Sequence, residues 1–380
     1  MRLYERTGAP SGLELTPETL ERARRYHTPF FLVDRRIVRA NLRALRDATG
    51  ADVHYAVKAN PHPAILATLA DQGAGFEVAS TPELNAVLAL GVAPDRIVSS
   101  NPVKKPEFLR LSHALGLRRF AFDSFEELRK LEGAAPGSGV YCRVAVDNSG
   151  SDWPLSRKHG AQPAEVVPLL VEAAGRGLDP FGLTFHVGSQ CLALRSWREA
   201  ILTMAELWAA AARQGVRLRT LNLGGGFPVQ HLKAIPELGE IGELVRALFR
   251  EYFPAEAGLT VEPGRALVGD AAILVTSVIG KARRGAEDWL YLDAGVFNGL
   301  LETIGGVEYR MRAESAGPTR RWTVAGPSCD SVDTMQSGVE LPDLTTGERV
   351  YVMNAGAYTL SYASSFNGFG PPETHFVDTG

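Results

Sequence analysis

Cysteine is scarce in this chain. Its 380 residues include only Cys142, Cys191 and Cys329, too few for a disulfide framework and without metal-ligand spacing between any two. Neither sign of charge dominates: 40 Lys and Arg against 43 Asp and Glu leave a formal charge of −3. That balance lacks the basic bias of a nucleic-acid binder and offers no like-charge interaction tail. No run approaches the roughly 18 apolar residues of a membrane span, and no apolar stretch of a secretory leader follows Met1–Arg6. Neither a nucleic acid nor a membrane is therefore expected as a partner, and a reducing, cytoplasmic location is. With 45% hydrophobic residues and a mean hydropathy of −0.05, the chain reads as an ordinary globular protein. It is long enough for one large core and a smaller second one.

What is present is a rhythm. Short apolar strands are expected to start at Val53, Gly75, Ile97 and Arg119, each 22 residues after the last, about the length of one strand–helix unit. Four more start at Gly139, Gly182, Thr220 and Leu259. Between them lie helix start signals, Ser80 with Glu83 and Ser124 with Glu127, and a stop at Gly91. Eight such units predict an α/β chain built on a (β/α)8 TIM barrel over residues 39–269; a doubly wound open sheet alternates in the same way. After Val268 the texture changes to short segments rich in β-branched and aromatic residues, such as 289–297, 320–326 and 348–360. These predict a mostly β domain over 270–380. Residues 1–38 are expected to belong to it through the lone strand Pro29–Asp34.

Chemistry in a barrel sits at the C-terminal ends of the strands. Lys58 ends the first strand inside an apolar run. It fits either a lysine snorkelling from a strand end or a Schiff-base amine made nucleophilic by burial. His186 ends the sixth strand and alone reads as a core histidine. Gly224-Gly225-Gly226 ends the seventh, as a tight turn or as backbone N–H groups that cradle a phosphate. Glu262 and Arg265 end the eighth, as an ion pair or as partners for a ring nitrogen and a phosphate. Taken in order, this set is what a ring cofactor with a phosphate arm requires: an amine, a flat group, an anion cradle and an acid.

Seven motifs carry a resemblance over almost the whole chain, from Pro29 to Phe369. They are Tyr55–Asn60, Phe185–Ser189, Gly224–Pro228, Glu262–Arg265, Gly326–Asp330, Gly356–Thr359 and Phe366–Phe369. The chain resembles the fold-type III, pyridoxal 5'-phosphate (PLP) dependent decarboxylases of ornithine, lysine and diaminopimelate, with the ornithine branch closest. The resemblance implies a barrel with a mostly β C-terminal domain, PLP as cofactor, a small amino-acid substrate and a homodimer with shared active sites. It implies that Lys58 holds the cofactor, His186 stacks on its ring and Glu262 meets the ring nitrogen. Ser189, Gly225, Gly226, Arg265 and Tyr358 would hold the phosphate. Cys329, reaching across the dimer interface, would reprotonate the α-carbon, and Asp330 would bind the distal ammonium. Arg143 and Lys158 match further positions near the site.

Asp330 favours a basic substrate, because the ornithine branch carries Asp after the Cys and the diaminopimelate branch usually carries Glu. Gln190 leans toward the diaminopimelate branch. Ornithine enzymes of eukaryotes place a second acid after the strand that holds Asp293, and in this chain the nearest acid there is Glu302. Ornithine and lysine differ by one methylene, worth about 1–3 kcal/mol in any pocket, so the expected activity is decarboxylation of ornithine and/or lysine. A diaminopimelate decarboxylase, a racemase of the same fold and a non-catalytic PLP-binding homologue are the alternatives.

Overall fold

The computed structural model describes residues 12–155 and 157–378. The first eleven residues, on which the reading of the N-terminus rests, lie outside them. The described chain divides into two compact units. One runs from Leu42 to Pro228 and from Ile235 to Gly264; the other comprises the chain up to Asn41, Val229–Ala234, and everything from Arg265 on.

The first unit is a parallel barrel of eight strands, each starting within three residues of its expected position. They are Asp52–Ala56, Gly75–Glu77, Ile97–Val98, Arg119–Phe122, Gly139–Arg143, Asp179–Thr184, Thr220–Asn222 and Gly258–Val261. Each pairs with its neighbours in the order of a closed ring, and the first strand also pairs with the eighth. The seam between third and fourth strands is closed by Ser99, whose N–H reaches the Arg119 carbonyl at 3.0 Å and whose carbonyl accepts from the Ala121 N–H at 2.8 Å. Such strands are buried on both sides, which accounts for continuous apolar runs rather than alternation. Inside the ring, Tyr141 and Phe181 meet edge to face at 5.3 Å. An additional two-stranded ribbon, Ser151–Trp153 with Ser189–Cys191, had no sequence signal.

The two predicted helix starts are realised differently. Ser124 caps its helix, its Oγ accepting from the Glu127 N–H at 3.3 Å. Ser80 sits at the N-cap without a side-chain bond, and Glu83 instead takes the Ala79 N–H at 2.7 Å. Glu127 does not fold back on its own cap. It turns inward to Lys104 Nζ at 2.9 Å, both side chains almost fully buried. Lys104 also donates to the Ala121 and Asn101 carbonyls, at 2.5 and 3.0 Å. Burial pushes this amine down to about 8 against the opposing pull of Glu127. The pair pins the loop after the third strand, which carries Ser100.

The second unit is an eight-stranded sheet. Its main path runs Met311–Ala313, Arg349–Val352, Ala272–Arg284, Glu287–Leu292, Thr319–Ala325 and Thr334–Pro342. Phe30–Val33 joins it from the far end of the chain, antiparallel to Ala272–Val275 and parallel to Glu373–Phe376. Alternation places Phe30, Leu32, Ile273 and Val275 with Tyr351 and Met353 in one buried cluster. Each full apolar side chain there contributes about 1.5–3 kcal/mol of transfer free energy.

Candidate active site

The first barrel strand runs into a single 3-10 turn, Val57–Ala59, closed by a hydrogen bond from the Tyr55 hydroxyl to the Asn60 carbonyl at 3.0 Å. Val57 and Ala59 are buried, while the Lys58 side chain remains half exposed at 51%. Its Nζ lies 2.7 Å from Glu77 Oε2, at the end of the second strand, where the carboxylate is 1% exposed. The amine is thus tethered at the barrel mouth and still accessible.

Glu262, after the eighth strand, is buried. Asn222 Nδ2 donates to its Oε1 at 2.6 Å, and the Ser100 hydroxyl donates to the same oxygen. Ser100 Oγ in turn pairs with the Tyr141 hydroxyl. Burial first, and the neighbouring Glu77 charge second, push the Glu262 carboxyl up to about 7, while Ser100, Asn222 and Lys58 pull it down. Asn222 serves both sides of the site, because its Oδ1 accepts the Gly224 N–H at 2.9 Å.

His186 accepts the Gly188 N–H at Nδ1, 3.0 Å away, so its ring proton sits on Nε2. Burial, then the charges of Arg143 and Lys58, hold this imidazole well below its usual range. It is a neutral, flat group beside the glycine run. At Gly225 a Cβ would stand 2.8 Å from the Glu262 carbonyl and 3.0 Å from His186 Nε2, and Gly226 has φ +105°. The backbone here approaches its neighbours as only glycine permits. Ser189 starts the nearby ribbon strand, partly buried. Arg143 ends the fifth strand and acts electrostatically on Glu262, Asp123 and Glu77; Lys158 is exposed.

In the sheet unit a second cluster forms around Arg265. Glu302, expected as an acid for the distal ammonium, instead takes Arg265 in a two-point contact at 2.6 and 2.9 Å, both side chains at most 4% exposed. The Tyr358 ring lies 5.0 Å from the Arg265 guanidinium carbon. Cys329 and Asp330 are exposed, with the thiol 3.8 Å from Asn367 Oδ1. Their loop is pinned by the buried Asp333, whose carboxylate accepts from the Val296 and Ser328 N–H groups at 2.7 and 2.9 Å.

Sequence reasoning missed Glu77, Ser100, Tyr141, Asn222 and Asp333. Glu77 left a usable signal: an acid inside the apolar strand Gly75–Val78, a placement that needs a partner charge. Among the described residues no group of His, Cys, Asp and Glu is arranged for a metal. The barrel-mouth groups do fit PLP: an accessible lysine amine, a carboxylate with one oxygen engaged and the other without a protein donor among the described residues, a neutral ring and a glycine cradle.

The model of the family "Pyridoxal-dependent decarboxylase, pyridoxal binding domain" matches residues 35–269. The chain is 38% identical over 352 residues to a lysine/ornithine decarboxylase of Selenomonas ruminantium, covering 91% of this chain and 89% of that one. A solved lysine decarboxylase from the same organism superposes with a TM-score of 0.89 at 35% identity, over 96% of this chain and 97% of the other. A lysine/ornithine decarboxylase from Vibrio vulnificus, complexed with putrescine, gives a TM-score of 0.88 at 29% identity over 96% and 99%. The chain belongs to the pyridoxal-dependent decarboxylase family, an enzyme with pyridoxal 5'-phosphate as its cofactor.

Proposed function

We propose that the protein removes the α-carboxylate of L-ornithine and/or L-lysine as carbon dioxide, releasing putrescine and/or cadaverine, at sites shared across a cytoplasmic homodimer. The observation that carries this reading is the barrel-mouth set: the Lys58 amine on Glu77, Glu262 with one open oxygen, and neutral His186 beside the glycine cradle. PLP, when bound, supplies an aldehyde for covalent attachment and a π-system that takes up the electron pair left by departing carbon dioxide. Lys58 attaches the cofactor, and Glu77 keeps the amine oriented before attachment. Glu262 holds a proton at the ring nitrogen, since a facing carboxylate favours the charged ring. His186, uncharged, packs against the ring face without competing for that proton. Ser189, Gly225, Gly226, Arg265 and Tyr358 bind the phosphate, with Glu302 fixing the Arg265 fork.

Cys329, contributed by the second subunit, delivers a proton from Sγ to the substrate Cα, and Asp330 beside it pairs the distal ammonium. Their exposure on the sheet unit and the names of the relatives, which act on lysine and ornithine, support this assignment. The test is a product screen of the PLP-loaded protein with ornithine, lysine, arginine and diaminopimelate, following carbon dioxide and amine together. Stoichiometric carbon dioxide with putrescine or cadaverine is expected. Release from diaminopimelate alone, or loss of optical activity without carbon dioxide, would replace the reading with a decarboxylase of another substrate or with a racemase.

A further inference from the structure

Glu262 stands among charges of both signs. Glu77, Lys58, Arg143 and the Tyr141 hydroxyl all act on it electrostatically, in a position with 8% of its surface exposed. An anion there needs donors, and two side chains supply them to one oxygen. Asn222 Nδ2 donates to Oε1, its amide orientation fixed by the Gly224 N–H on Oδ1. Ser100 Oγ donates to the same Oε1. A serine hydroxyl has one proton, so with that proton on Glu262 the Tyr141 contact must run from the phenol to Ser100. Both hydroxyl protons therefore point toward the carboxylate, and each bond polarises the next. The three elements are held independently: Ser100 by the loop that Lys104 and Glu127 pin, Tyr141 by its edge-on contact with Phe181, and Asn222 by the seventh strand.

We propose that Ser100 and Tyr141 are positioning residues, a two-hydroxyl relay that keeps Glu262 anionic and so directs the single proton shared with the PLP ring nitrogen onto the nitrogen. This rests on the assignment of Glu262 to that nitrogen. The proton has two seats, Glu262 Oε2 and the ring nitrogen. Stabilising the carboxylate through Oε1 favours the seat on nitrogen, with no other proton or electron moving. Removing one donor to a buried charge shifts such an equilibrium by about 10- to 100-fold.

The experiment uses holoenzyme loaded with PLP labelled with nitrogen-15 in the ring, read by the ring-nitrogen chemical shift across pH in wild type, Ser100→Ala, Ser100→Thr and Tyr141→Phe. Wild type is expected to show a protonated nitrogen. Ser100→Ala is expected to move the signal toward the unprotonated position with a fall in kcat of about tenfold or more, Tyr141→Phe to move it less, and Ser100→Thr to restore both. Melting temperature identifies a variant that is merely unfolded, and Tyr141→Phe, which removes one hydroxyl and keeps the ring packing, then decides. An unchanged nitrogen shift in folded Ser100→Ala or in Tyr141→Phe overturns the relay. A wild-type nitrogen that is unprotonated, or whose signal does not respond to Glu262→Gln, overturns the underlying assignment of Glu262 instead.

Discussion

Replacing Glu262 by Gln in the cofactor-free protein should change how stability responds to pH. In the folded chain the carboxyl is raised from 4.5 to about 7, mainly by burial and then by Glu77. A carboxyl raised on folding binds protons more tightly folded than unfolded, so its contribution falls as pH rises between the two values. The gap of about two and a half units corresponds to about 3 kcal/mol, fully expressed above pH 7 and absent below pH 4.5. Other groups titrate near this window. Burial lowers His54 and His231 to about 3, and these stabilise with rising pH, so total stability does not isolate Glu262. The difference between wild type and Glu262→Gln does. Urea unfolding of the apoprotein at fixed concentration, from pH 4 to 8, should show the variant gaining about 3 kcal/mol relative to wild type across that range. A constant difference would refute the idea that a buried carboxylate, held by Asn222 and Ser100 yet raised by burial, is maintained at the barrel mouth at some cost until the cofactor arrives.

Two further outcomes test the roles proposed for Asp330 and Cys329. Asp330→Ala should raise KM for a diamino acid by the equivalent of roughly 2–5 kcal/mol, the loss of a charge partner in a desolvated site, and Asp330→Glu by much less; steady-state kinetics with equal KM for Asp330→Ala and wild type would remove the residue from substrate binding. Mixing Lys58→Ala with Cys329→Ala chains after dissociation should restore about a quarter of wild-type activity, since about half the random dimers are hybrids with one intact site of two. No recovery in a mixture shown to contain hybrids would place both residues in one subunit's site.

The barrel was legible because its signal is periodic. Strand starts 22 residues apart survive uncertainty in every helix between them, and each of the eight strands starts within three residues of its expected position. The lone strand Phe30–Val33 was legible for a different reason: four consecutive apolar residues with no helix-period pattern must pair with something. The long strand Ala272–Arg284 was harder to see, because its end is exposed and charged and blends with the turn that follows. Lys58, His186 and the glycine run could be read from their places at strand ends. The residues that orient them could not. Asn222 and Ser100 become partners of Glu262 only when strands 40 and 162 residues away in sequence close the ring. Glu302 shows the limit most clearly. Its chemistry was noticed, but the 3-10 turn Leu301–Gly305 aims it at Arg265, a direction that spacing does not encode.

The claim on which the rest depends is that the barrel mouth around Lys58 is where the cofactor is held. The most direct measurement is borohydride reduction of the PLP-loaded protein, followed by proteolysis and mass mapping of the modified peptide. The account predicts one pyridoxyl group per chain on Lys58 and loss of that label, with loss of carbon dioxide release, in Lys58→Ala. A reduced label that remains in Lys58→Ala, or that maps in the wild type to Lys104 or any other lysine, would contradict it.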